Sequence, residues 1–155
     1  MSEAPLWLSP QEQADWQAFI QMQELLRSRL EQGLLSRSGL SNADFTVLAV
    51  LSEAPERRMR PFDLSRALGW EKSRLHHQLT RMCSRGLVER RPDPGSGNAR
   101  AVQVVLTRAG LAAITAAAPG HVRDVRLLAL DALSEEQLAQ LGEISRAIIA
   151  TLIVD

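Results

Sequence analysis

At 155 residues, 45% of them hydrophobic and 23% charged, the chain has room for one domain with a real core and not for two ordinary ones. No apolar run reaches the ~18 residues of a membrane span, Met1-Ser2-Glu3-Ala4-Pro5 lacks the basic-then-apolar pattern of a leader, and the single cysteine, Cys83, closes no internal disulfide, so a cytoplasmic protein without membrane contact is expected. The formal net charge of zero argues against a nucleic-acid partner only until its distribution is seen: Arg57 to Arg108 holds twelve Arg or Lys against four acids (Asp63, Glu71, Glu89 and Asp93), and the remainder is acidic by the same margin.

In chain order, Ser9-Pro10-Gln11-Glu12 reads as a capping box with proline at the first helical position, opening a helix to about Leu35. Trp16, Phe19, Ile20, Leu26 and Leu30 recur along it close to helical spacing. Ser41-Asn42-Ala43-Asp44 supplies the next N-cap with an acid in the first turn, and the apolar run Phe45–Leu51 makes a short buried helix that Ala54-Pro55 ends. A third helix starts at Pro61, with Leu64, Ala67 and Leu68 on its apolar side and Gly69 as a left-handed C-cap. A fourth runs from Glu71 to about Arg85, with Leu75, Leu79 and Met82 at i, i+4 and i+7, and Gly86 stops it. Two short helices across a tight glycine-containing turn make a helix-turn-helix.

After Gly86 the period changes. Leu87–Arg91 and Ala101–Leu106 are β-rich runs around Pro92-Asp93-Pro94-Gly95-Ser96-Gly97-Asn98, which is dense in turn residues, so a hairpin with a flexible tip is expected: a wing. Thr107 caps a helix through Ala109–Ala118, Pro119-Gly120 is expected to break or kink it, and it resumes from about His121 to Leu133. Ser134-Glu135-Glu136-Gln137 is a second capping box, opening a last helix striped by Leu138, Leu141, Ile144, Ile148 and Leu152. The expected fold is mostly α with a small β-hairpin wing, a winged helix-turn-helix carrying N- and C-terminal dimerisation helices.

The fourth helix carries the functional argument. Opposite its apolar side it displays Lys72, Ser73, Arg74, His76, His77, Thr80 and Arg81, with Arg74, His77 and Arg81 sharing a face at i, i+3 and i+7. An α-helix fits the major groove of B-DNA, where Arg pairs bidentately with guanine and His, Ser or Thr reach base edges or phosphates. A solvated basic face accounts for the helix alone equally well, and the wing downstream decides for DNA. Asn98 and Arg100 beside its glycine-rich tip suit the minor groove. The first and last helices carry apolar stripes too long for a small winged-helix core. Trp7, Leu8, Trp16 and the stripe from Ile144 to Ile153 are the candidates to pair across a two-fold axis.

Ser84-Arg85-Gly86-Leu87-Val88-Glu89-Arg90, then the wing, then Val104-Val105-Leu106-Thr107-Arg108-Ala109-Gly110, resembles the pattern of the MarR family: Arg-Gly-Leu-Val after the recognition helix and Val-x-Leu-Thr-x-x-Gly after the wing. The order of elements is similar over essentially the whole chain. The resemblance implies one MarR-like domain over residues 1–155, with dimerisation helices at about 9–35 and 108–155 around a DNA-binding lobe at about 41–107. It implies a homodimer on a near-palindromic operator in double-stranded DNA, often a repressor released by a small-molecule inducer or by oxidation. Two departures stand out. The family's wing commonly has Asp-x-Arg, here Asn98-Ala99-Arg100, and the recognition helix has His76-His77 where many members have Thr-Arg, which suggests an altered base preference and pH-sensitive binding.

Trp16, Phe19, Met22 and His121 are candidates for an inducer pocket, and the same residues read equally well as dimer core. Cys83 lies between Arg81 and Arg85, which favours a thiolate, yet it neighbours Met82 and is four residues from Leu79, as a packing cysteine would be. His76, His77 and His121 lack metal-ligand spacing, and no catalytic constellation or cofactor loop is present, so neither an enzyme nor a metal or cofactor site is expected. Two alternatives to a DNA-binding regulator stay open: a winged-helix interaction module without DNA binding, and a cysteine-based redox regulator.

Overall fold

Three helix starts are closed by local reciprocal hydrogen bonds, each of which satisfies amide groups that a helix leaves without intrahelical partners. The computed structural model describes residues 7–153, so the opening Met1–Pro5 stretch read for a leader lies outside the described residues. Glu12 N donates to Ser9 Oγ and Ser9 N to Glu12 Oε2 at the head of α1 (Pro10–Ser38). Ser41 and Asp44 exchange the same pair of bonds, each 3.0 Å, at the head of α2 (Asn42–Glu53). Ser134 and Gln137 do so at α6 (Glu135–Leu152).

Residues 31–122 form one compact unit, the flanking residues up to Leu30 and from Arg123 another. The central unit holds every fully buried apolar side chain among the described residues, with Val47, Leu48, Leu51, Leu64, Met82 and Val104 at its centre. α3 (Pro61–Leu68) ends on Gly69 in the left-handed region (φ 63°), and α4 (Lys72–Ser84) begins three residues later. Leu75, Leu79 and Met82 are buried as their spacing requires.

The sheet has three antiparallel strands in the order β1–β3–β2, comprising β1 (Arg58–Met59), β2 (Val88–Pro92) and β3 (Val102–Leu106). The β2–β3 hairpin is the anticipated wing. β1 was not anticipated: its two residues, one of them charged, carry no alternation that sequence could reveal. It pairs Arg58 with Val105 and Met59 with Val104, covering the outer edge of β3.

A single helix, α5 (Arg108–Leu128), runs through Pro119, where a break or kink was expected. Proline there forgoes one backbone bond and its ring faces the carbonyl of the preceding turn, yet the helix continues on both sides of it. The helix stops at Leu128, short of Leu133, because Ala129 leaves the helical region (φ −136°, ψ −61°) and a 3₁₀ turn, Leu130–Ala132, follows.

The flanking unit is helical, built from α1 up to Leu30, the end of α5, and α6. Among its described residues none is buried: Trp16 is 52% exposed, Ile144 57% and Leu152 75%. No helix among the described residues is long and apolar enough to cross a membrane.

Candidate nucleic-acid interface

α4 has two chemically distinct sides. Inward, Leu75, Leu79 and Met82 anchor it in the core of the central unit. Outward, Lys72, Ser73, Arg74, His76, His77, Thr80 and Arg81 are all exposed, so all seven residues named on this helix stand on its accessible surface. Several are already held in place. The Arg74 guanidinium lies over the Trp70 ring, its carbon 4.0 Å from the centroid, a cation–π attraction that does not consume its N–H donors. Lys72 Nζ sits 5.7 Å from the Phe62 ring. Thr80 Oγ1 donates to His76 O at 2.9 Å, and Arg90 of β2 reaches back to His76 O and Thr80 Oγ1, both at 3.4 Å. The His76 and His77 rings meet edge to face at 5.9 Å.

Beneath this face runs a polar network that sequence reading missed. Asp44, 4% exposed, accepts from Gln78 Nε2 at 2.7 Å and from Arg85 Nη1 at 2.6 Å, besides capping α2. Burial pushes its carboxyl pKa upward, but the backbone N–H of Ser41 and the Arg85 guanidinium outweigh this and hold it below the ordinary 3.8. Gln78, itself 3% exposed, accepts from Arg81 Nη2 at 2.7 Å. Ser41 and Asp44 are readable as a cap, but Gln78 and Arg85 lie 34 and 41 residues further on, beyond any local signal.

The wing is organised by a second buried acid. The Asp93 side chain is 2% exposed and accepts from Arg60 Nε at 2.6 Å, Gln103 Nε2 at 3.1 Å and the Gly95 amide at 3.2 Å. Asp93 thus ties the wing base to the residue preceding α3. At the tip, Asn98 Oδ1 accepts from the Arg100 backbone amide at 3.0 Å, so this side chain stabilises its own turn. Both Asn98 and Arg100 are exposed, on the loop and apart from α4 in sequence.

Of the four candidate pocket residues, Trp16, Phe19 and Met22 belong to the flanking unit and His121 to the central one. Met22 lines an apolar groove of about 670 Å³ in the flanking unit with Leu25, Leu26, Leu128, Leu133 and Leu141. Trp16 and Phe19 pack on each other at 5.6 Å. His121 belongs to the central unit, its ring 4.2 Å from that of Phe45. Cys83 is half-buried against the core. Among the described residues no cluster of three or more His, Cys, Asp or Glu is placed to hold a metal ion.

A model of the MarR family matches residues 38–97, from the end of α1 to the wing tip. No curated protein matches the chain. Among solved structures, Sco3205 of Streptomyces coelicolor, a MarR family transcriptional regulator in complex with DNA, is 33% identical, with a TM-score of 0.93 over 97% of this chain and 94% of that one. AbsC, a MarR family transcriptional regulator of the same organism, is 36% identical over 96% of this chain and 98% of its own, with a TM-score of 0.88. A mutant MarR from E. coli, complexed with operator DNA, shares the fold at 24% identity and a TM-score of 0.73, over 85% and 91% of the two chains. With the helix-turn-helix, the three-stranded wing sheet and these likenesses together, the chain belongs to the MarR family, whose members are transcriptional regulators and not enzymes.

Proposed function

We propose that the chain is a sequence-specific regulator that binds double-stranded DNA as a homodimer on a near-palindromic operator and represses until a small molecule releases it. The exposed basic face of α4 carries the reading. Thirteen residues give a helix about 20 Å long, suited to the major groove, where Arg74, His77 and Arg81 address base edges while Lys72 and Ser73 near the helix start meet phosphate. Arg100, beside Asn98 on the wing, addresses the minor groove. That Sco3205, 33% identical over nearly the whole chain, is a regulator in complex with DNA supports DNA binding here.

The flanking unit supports the dimer. A helical unit in which no described side chain is buried lacks a core of its own, and a second copy laid on the stripe of α6 supplies one. In this reading the flanking helices at about 9–35 and 108–155 dimerise and the lobe at about 41–107 binds DNA. The inducer enters the apolar groove that Met22 lines with Leu25, Leu26, Leu128 and Leu141 in the flanking unit.

Fluorescence anisotropy on duplexes flanking the chain's own gene tests the reading. Tight binding is expected to weaken steeply with salt, log affinity falling by about 0.9 per phosphate contacted, and Arg74→Ala is expected to cost about tenfold or more at the preferred site. No binding at low salt refutes DNA recognition and leaves a winged-helix interaction module. An inducer is recognised as a compound that raises the melting temperature while weakening DNA binding.

A further inference from the structure

Contact with DNA does not by itself require the buried network beneath α4. A primary amide presents a donor on one side and an acceptor on the other. Gln78 sits between a carboxylate and a guanidinium, so one orientation alone satisfies both neighbours: NH₂ toward Asp44 Oδ1 and oxygen toward Arg81 Nη2, each at 2.7 Å. The reverse would set like partners against each other in a site that is 3% exposed. Asp44 is itself fixed by the Ser41 amide and by Arg85, whose Nη2 also donates to Gly39 O at 3.0 Å. The charge of Asp44 therefore sets the sense of the Gln78 amide, and that amide sets the direction of a long, exposed side chain with large rotamer freedom.

We propose that Asp44 and Gln78 are positioning residues for Arg81, aiming its guanidinium fork and so setting base selectivity where Arg81 meets the operator. The proposal rests on the DNA-binding reading above. Only one nitrogen of the fork is engaged by Gln78, so further N–H donors remain for a base edge. Lost aim affects one base pair, whereas a merely structural lesion weakens every site alike.

Gln78→Met keeps the volume and removes both bonds. Two readouts separate the possibilities: order of the Arg81 guanidinium by ¹⁵N relaxation in the free protein, and affinities for a set of single-base-pair variants of a duplex selected by the wild-type chain from a random pool. Arg81 is expected to become disordered, and discrimination to flatten about tenfold at the base pair that Arg81→Ala also flattens. The dependence of affinity on salt stays the same, and adding Gln78→Met to Arg81→Ala changes nothing further. Asp44→Asn shows a smaller loss at the same base pair, and supplies the comparison should Gln78→Met not fold. An unchanged Arg81, a uniform loss across all variants, or full additivity with Arg81→Ala overturns the proposal. Failure of the wild-type chain to select any duplex refutes the DNA-binding reading, and the order of Arg81 still decides whether the relay exists.

Discussion

Gly110, in the first turn of α5, has no room for a single added carbon. A Cβ there would lie 2.0 Å from Leu87 O and 2.7 Å from Leu106 Cδ1. A carbon–oxygen contact needs more than about 3 Å, so α5 or the start of the hairpin must move by about 1 Å. That movement is resisted, because Leu87 O also accepts from Thr107 N at 3.2 Å and Thr107 Oγ1 at 2.9 Å, while Thr107 Oγ1 accepts from Gly110 N at 2.9 Å. Overpacking costs about 1–3 kcal/mol, and each weakened hydrogen bond adds about 1 kcal/mol. Replacing glycine inside a helix returns up to about 1 kcal/mol. With one such bond weakened, Gly110→Ala is therefore expected to destabilise by about 1–3 kcal/mol, lowering the melting temperature by roughly 2–12 °C for a chain of this size. Gly142→Ala is the control. Its nearest neighbour is the flexible end of Arg146 at 3.2 Å, so it is expected to be neutral or slightly stabilising. Urea unfolding followed by circular dichroism, at one fixed protein concentration, measures both. A loss below about 1 kcal/mol for Gly110→Ala, or the same sign for both variants, refutes the argument.

Asp44→Asn is expected to cost about 2 kcal/mol at pH 7, where the ionised carboxylate makes charge-assisted bonds. Because the fold lowers this pKa from 3.8, that stabilisation is complete above the ordinary value and lost as pH falls through the folded one, so the gap to wild type should close below about pH 4 in unfolding titrations. A gap that does not depend on pH contradicts this. Asp93→Ala removes the acceptor shared by Arg60, Gln103 and Gly95; amide exchange at Gly95 and Ser96 should accelerate while α4 stays protected, and unaltered exchange counts against the anchor. Ile148→Glu on α6 is expected to shift the sedimentation equilibrium toward monomer by at least about tenfold in dissociation constant, and an undisturbed dimer would place the interface elsewhere.

Helices were legible where their signals are local. Ser9, Ser41 and Ser134 announce helix starts because each partner lies three residues away, and Gly69 and Gly86 mark helix ends because left-handed backbone favours glycine. The apolar side of α4 was readable from Leu75, Leu79 and Met82, and its exposed side by subtraction. Pro119 does not break α5, because the loss concerns one bond and one ring, whereas a 21-residue helix with Ile114 and Ala117 packed in the core outweighs both. The two buried acids were unreadable as such. Asp44 looked like a first-turn acid and Asp93 like a turn residue, and their cationic partners lie 41 and 33 residues away.

The placement of β3 between β1 and β2 has a consequence for how the lobe assembles. Its pairing with β2 closes over the wing loop alone, while its pairing with β1 joins Met59 to Val104, with α3, α4 and the hairpin's first strand lying between them in sequence. Loop closure over a short span is fast, and pairing across a long one must await the intervening chain. The hairpin is therefore expected to form before the β1 pairing, which spans the helix-turn-helix. Protection of the β1–β3 amides in pulsed hydrogen exchange then times completion of the lobe, and a folding chain in which β1 has not yet docked carries a bare β3 edge open to a second molecule.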